Sequence, residues 1–214
     1  MSDPLAVYNR VGAGVTNNGL NLKFGLEYET PDNDKQSMHV IEVKGIAGES
    51  LGWSDHDKHD NSIDTFRYRN FLLDKQENRG TQIGIDWNFD TDMGSASYSF
   101  LQGTPKVGAF QFYPLAGAGV TVSDDKEDGI NVPGGFALIG VYAKATLSDN
   151  VWINYNPMYK IGIGGQMSGW DQIDHEVSVS YKIDERQNIC FYANWSDETS
   201  FEDGDFRVEF NYQF

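Results

Sequence analysis

The chain ends on DFRVEFNYQF, Asp205 to Phe214. Side chains of a strand alternate between its two faces. Phe206, Val208, Phe210, Tyr212 and Phe214 therefore share one face, and Arg207, Glu209, Asn211 and Gln213 share the other. One face is aromatic to its last residue and the other carries charge, so the strand separates an apolar medium from a polar one.

The same alternation recurs upstream. In NLKFGLEYE (21–29), Leu22, Phe24, Leu26 and Tyr28 oppose Lys23, Gly25, Glu27 and Glu29. In QIGIDWNF (82–89), Ile83, Ile85, Trp87 and Phe89 oppose Gly84, Asp86 and Asn88. VWINYNPMYKIGI (151–163) and IDHEVSVSYKI (173–183) repeat the pattern, with Lys160, Asp174 and Glu176 on their polar faces. The expected strands are 5–16, 20–29, 38–47, 63–73, 81–89, 95–102, 107–122, 136–147, 151–163, 173–183, 188–196 and 206–214. No stretch keeps a helical apolar period for three turns, so almost no helix is expected.

In a soluble sandwich the apolar faces would meet in a core. Here the polar faces hold neighbouring charges, while the apolar faces carry large aromatics out to the strand ends. A transmembrane barrel inverts the sandwich: its apolar face meets lipid and its polar face lines the lumen. Read back from Phe214, the connections alternate long and short, with SDETSFEDGD, GGQMSGWDQ and SDDKEDGINVPGG against DERQ, SDN and GTPK. Long loops at one end and tight turns at the other are an outer-membrane barrel's habit. The alternation weakens at DTDMG, which is short where a long loop is due. The expectation is an all-β, closed antiparallel transmembrane barrel of about twelve strands, one domain over 1–214.

On these residues the chain resembles the bacterial outer-membrane β-barrels, as a small porin-like channel. FRVEFNYQF resembles the C-terminal strand that the barrel-assembly machinery recognises, so Phe206, Val208, Phe210, Tyr212 and Phe214 are implied to act as an assembly signal. The resemblance implies a place in the outer membrane among lipids and lipopolysaccharide. Arg207 departs from it, standing where many such strands carry glycine. MSDPLAVYN reads as a start Met before a mature sequence, which places any export signal upstream of it.

Net charge is −16, which argues against nucleic-acid binding. The long connections carry −14 of it, so the acidity forms a rim. Such a rim attracts cations and can hold divalent ions near lipopolysaccharide phosphates, or it simply keeps exposed loops soluble. Inward positions nearly balance. Arg10, Lys23, Lys44, Arg67, Arg69, Lys144, Lys160, Lys182 and Arg207 face Glu27, Glu29, Glu42, Asp86, Asp174, Glu176 and Glu209.

Arg67 and Arg69 share a face. They read either as an anion-selecting element or as part of an ion-pair network with Glu42 or Asp86. Small inward residues (Ser97, Ser99, Gly117, Gly119, Ser178 and Ser180) leave bore. The expected function is passive diffusion of small polar or charged solutes through a monomeric barrel. The alternatives are a non-conducting surface barrel with partner-binding acidic loops, and a barrel hydrolase.

His56 and His59 lie in SDHDKHDN (54–61), whose spacing matches no strong metal motif, so no metal or other cofactor is expected. His39 and His175 fall on outward faces, and GGQMSGW (164–170) lacks the strand-to-helix setting of a nucleophile elbow, so no catalytic residue is assigned. Trp87, Trp195, Tyr28, Tyr155, Tyr181 and Tyr212 read as an interfacial girdle. Trp53, Trp152 and Trp170 suit ordinary packing better than sugar stacking. Cys190, the only cysteine, excludes a disulfide framework and reads as a small strand residue.

Overall fold

A computed structural model describes residues 7–31, 34–52, 63–125 and 129–214. Its strands are β1 (Arg10–Thr16), β2 (Gly19–Tyr28), β3 (Lys35–Ile46), β4 (Thr65–Asp74), β5 (Arg79–Asn88), β6 (Met93–Gln102) and β7 (Phe110–Asp125). There follow β8 (Gly129–Thr146), β9 (Val151–Tyr155), β10 (Met158–Gly165), β11 (Asp171–Lys182), β12 (Gln187–Ser196) and β13 (Asp205–Gln213).

β9 and β10 are two halves of one stave, because both pair with β8 on one side and β11 on the other. Pro157 interrupts the stave, having no N–H to give the ladder. The ladder bridges the gap through Asn156 N to Glu176 O (2.8 Å) and Val141 N to Pro157 O (3.2 Å). Thirteen strands thus make twelve staves, each antiparallel to its neighbours. β13 pairs with β1, Ala13 opposite Phe210, and closes the ring. No edge is left to present unpaired backbone to lipid.

The strand faces divide as the alternation requires. On β13, Glu209 is 0% exposed and Arg207 3%, while Val208 and Phe210 between and beyond them are 46% and 42% exposed. Exposed large apolar side chains occur on β1, β2 and β5 through β13, forming a belt that water would not tolerate and lipid would. Tyr28 stacks on His39, and Trp195 on His175, with both histidines on the outward face as their positions predict.

Both described termini lie at one end, here the lower. Upper connections span 17–18, 47–64, 89–92, 126–128, 166–170 and 197–204, and lower ones 29–34, 75–78, 103–109, 147–150 and 183–186. Side chains shape the tight turns by accepting backbone bonds. Asn88 Oδ1 takes the N–H groups of Asp90 and Thr91, and Asp74 Oδ1 those of Gln76 and Glu77.

Three expectations change. SDDKEDGINVPGG is not a long loop: β7 and β8 stay paired up to Asp125 and Gly129, beyond the length a bilayer requires. Asp205 is not a rim charge but a β13 residue bonded to Lys44. The first strand begins at Arg10 rather than residue 5. Asn9 is fastened at the lower rim, its O accepting from Phe214 N (3.2 Å) and its Oδ1 from Glu27 N (2.8 Å). From there the chain turns into the bore, where Val7 packs on Met38, Val40, Phe71 and Leu73. A second inward cluster gathers Leu101, Tyr113 and Leu115 with Leu138, Tyr142 and Met158. The lower bore is therefore partly apolar.

Candidate permeation path

Three cavities succeed one another inside the barrel. The upper vestibule, about 680 Å³, holds three cross-strand ion pairs. Lys44 Nζ meets Asp205 Oδ2 at 3.0 Å, Lys160 Nζ meets Asp174 Oδ2 at 2.6 Å, and Arg67 Nε is bonded to Asp86 Oδ1. Arg67 and Asp86 stand opposite one another in the β4–β5 register, so their pairing follows from the ladder.

The central cavity is much smaller, about 140 Å³, and its wall includes Arg10, Lys23, Glu42, Arg69, Glu176 and Arg207. Lys23 Nζ donates to both oxygens of Glu209, at 2.6 and 2.9 Å, and Asn21 Nδ2 adds a bond of 2.8 Å to the same carboxylate. Arg207 is bonded to Glu42, and its guanidinium lies 4.0 Å from the centre of the Tyr192 ring. The Lys23 ammonium approaches the same ring at 5.1 Å. Burying four charged groups is tolerable only because each finds an opposite charge and further donors or a ring face.

Room for this network comes from glycine. A Cβ on Gly12 of β1 would stand 2.6 Å from Asn211 Oδ1 and 3.3 Å from Glu209 Cδ. The strand beside the closing stave is thus kept bare so that β13 can project its polar side chains.

Two charged groups bridge the central cavity and the upper vestibule. Arg69 reaches Glu42 Oε2 only at 3.8 Å, and its Nε is buried without a hydrogen-bond partner. Glu176 accepts from Asn156 Nδ2 at 2.8 Å. Below the central cavity a lower vestibule of about 510 Å³ is walled by Lys144, Trp152, Lys182, Asn188 and Gln213, among others. The Lys144 ammonium lies 5.8 Å from the Trp152 ring. Cys190 faces inward onto the central cavity, its Sγ 3.1 Å from Ser180 Oγ.

Most of the predicted inward charges thus share one bore. Lys23, Glu42, Arg207 and Glu209 form its centre, Lys44, Arg67, Asp86, Lys160 and Asp174 its upper mouth, and Arg69 and Glu176 the junction. Glu27 stands apart, exposed at the lower end. Phe206, Val208, Phe210, Tyr212 and Phe214 lie on the outer side of β13, where Phe206 meets Phe191 and Phe201. Among the described residues no group of three or more His, Cys, Asp or Glu side chains is arranged to hold a metal. His56, His59 and Trp53 lie outside the described residues.

Tyr142, Tyr192 and Gln82 also line the bore and went unnamed in the sequence, although strand alternation would have placed each inward. No sequence signal marks Val7 and Tyr8 as entering it.

No family model matches the chain. No curated protein matches it either. Solved structures do. An outer membrane channel from Pseudomonas putida F1 aligns over 100% of this chain and 98% of its own, with TM-score 0.63 and 8% identity. The KdgM porin, solved in complex with disordered oligogalacturonate, aligns over 97% and 99%, with TM-score 0.57 and 10% identity. The NanC porin aligns over 96% and 98%, with TM-score 0.56 and 6% identity. The fold is that of the outer-membrane porin barrels.

Proposed function

We propose that the protein is a monomeric outer-membrane channel for passive diffusion of small polar or charged solutes. The supporting observation is that inward-facing polar side chains line the upper vestibule, the central cavity and the lower vestibule, inside a closed ring of staves. A sealed structural barrel could fill its interior with apolar side chains at lower cost than with buried ion pairs. The fold shared with outer-membrane channels supports the same reading and its location. Lipid and lipopolysaccharide would contact the outer belt, and the assembly machinery would take the chain by β13. The test is recording from the purified protein in planar lipid bilayers, where discrete conductance steps in KCl are expected. No steps at any voltage would remove the reading.

A second reading is a non-conducting surface barrel whose acidic upper loops bind a partner. Val7 against the inward apolar cluster favours it, since that contact narrows the lower bore. Deleting 197–204 separates the two: a channel keeps its conductance and a binding protein loses its partner. We propose no enzymatic role. A barrel hydrolase needs an inward histidine beside a carboxylate, and His39 and His175 sit among outward tyrosines instead.

A further inference from the structure

The bore's cations are not equally neutralised. Lys23, Lys44, Arg67, Lys160 and Arg207 each hold a carboxylate at hydrogen-bonding range. Arg69 and Arg10 do not. Arg10 is bonded to the Tyr8 hydroxyl at 3.3 Å and lines the central cavity but not the upper vestibule. The carboxylate contact of Arg69 among the described residues is Glu42 at 3.8 Å, and Glu42 is already engaged by Arg207. Glu176 is its acidic counterpart, bonded to the neutral amide of Asn156 and, among the described residues, to no lysine or arginine. A closed pair presents a dipole whose field falls off faster than that of a single charge, so Arg69 and Glu176 dominate the field where the central cavity meets the upper vestibule.

Their positions around the ring are opposed. Arg69 is on β4 and Glu176 on β11, and with β9 and β10 counted as one stave, β11 is the sixth from β4 in either direction. Both line the central cavity and the upper vestibule, so they stand at the same junction on facing walls. The field there runs across the bore rather than along it. A solute with one charge is drawn to one wall and repelled from the other. A solute carrying both charges can align with the field and meet both walls favourably.

We infer that this junction selects small zwitterions, with α-amino acids as the chemical class, their carboxylate toward Arg69 and their ammonium toward Glu176. The inference rests on the channel reading. Neutral partners for the rest of such a solute stand in the same wall: Ser178, Ser180, Asn154 and the Tyr142 hydroxyl, itself 3.1 Å from Gln82 Oε1. A central cavity of about 140 Å³ restricts passage to the smallest members of the class.

The test compares efflux of radiolabelled glycine, glycolate and ethanolammonium from proteoliposomes holding the full chain, with KCl conductance recorded on the same preparation. Glycine should leave faster than either singly charged analogue, by roughly threefold or more. Arg69→Gln should slow glycine and glycolate and speed ethanolammonium, because Glu176 is then unopposed. Glu176→Gln should do the reverse. Heat-modifiable gel mobility confirms folding of each variant, and the parent's ratios stand whether or not the variants fold. KCl steps with glycine no faster than its analogues, or variants that leave the ratios unchanged, would overturn the inference alone. No conductance and no efflux of any solute would overturn the channel reading and the inference with it.

Discussion

Arg207 on β13 is bonded to Glu42 on β3, three staves away across the seam where the barrel closes. Lys23 on β2 holds Glu209 on β13, so the side chains inside the bore span the seam that the β1–β13 backbone ladder closes.

Breaking this seam should be costly. Both partners are almost fully buried, so Arg207→Leu leaves Glu42 charged and without its closest cation, a loss of about 3–5 kcal/mol. Arg67→Leu opens a vestibule pair whose side chains are 37% and 42% exposed, and should cost under about 1 kcal/mol. Urea titration in lipid vesicles, followed by gel mobility, measures both. Equal costs would show that the seam pair contributes nothing special.

Gly12 gives a steric test of the same network. Gly12→Val drives a side chain into Asn211 and Glu209 and should destabilise by about 1–3 kcal/mol. Gly164→Ala is the control, since a Cβ there meets nothing within 4 Å. A Gly12 variant as stable as the Gly164 variant would mean that β13 can withdraw its side chains freely.

A chain beginning at Asn9 lacks Val7 and Tyr8 but keeps the bonds from Phe214 and Glu27 that fasten the rim. Its conductance should exceed that of the full chain, by about twofold or more, because side-chain filling sets bore width in small barrels. Cys190 provides a second readout. Its thiol faces the central cavity, so a membrane-impermeant methanethiosulfonate added from the lower side should label it faster in the shortened chain. Unchanged conductance and labelling would mean that the segment does not obstruct the path.

Arg67 and Arg69 should separate in reversal-potential measurements under a KCl gradient. Arg67 is neutralised by Asp86, so Arg67→Gln frees a carboxylate in a wide vestibule and moves the potential only slightly toward cations. Arg69→Gln acts at the narrow junction and should move it further. The acidic rim adds a cation preference at low salt that fades as screening shortens to about 10 Å at 0.1 M. Identical shifts for the two variants would remove the distinction.

Removing Phe214 should lower the yield of folded protein in the outer membrane of cells, while refolding into detergent micelles proceeds as before. Phe214 is exposed on the outer face at the end of β13, away from the bore, where an assembly factor would reach it. Equal losses in cells and in detergent would make it a stability residue rather than a signal.

The alternation in DFRVEFNYQF and its repeats was enough to decide the all-β class, the inside and outside of nearly every stave, and the inward charges. A period of two leaves no other way to share residues between lipid and water. It also placed His39 and His175 outward, since parity is a local property. It did not decide which charges meet. Arg67 had both Glu42 and Asp86 as register neighbours, and only the closed ring brings Arg207 to Glu42 and leaves Asp86 to Arg67. Curvature and stave number set those distances across the bore, and neither is written in any one strand. The entry of Val7 into the lumen and the facing of Arg69 and Glu176 from opposite walls belong to the same class. Each joins residues far apart in the chain, so each exists only once the barrel has closed.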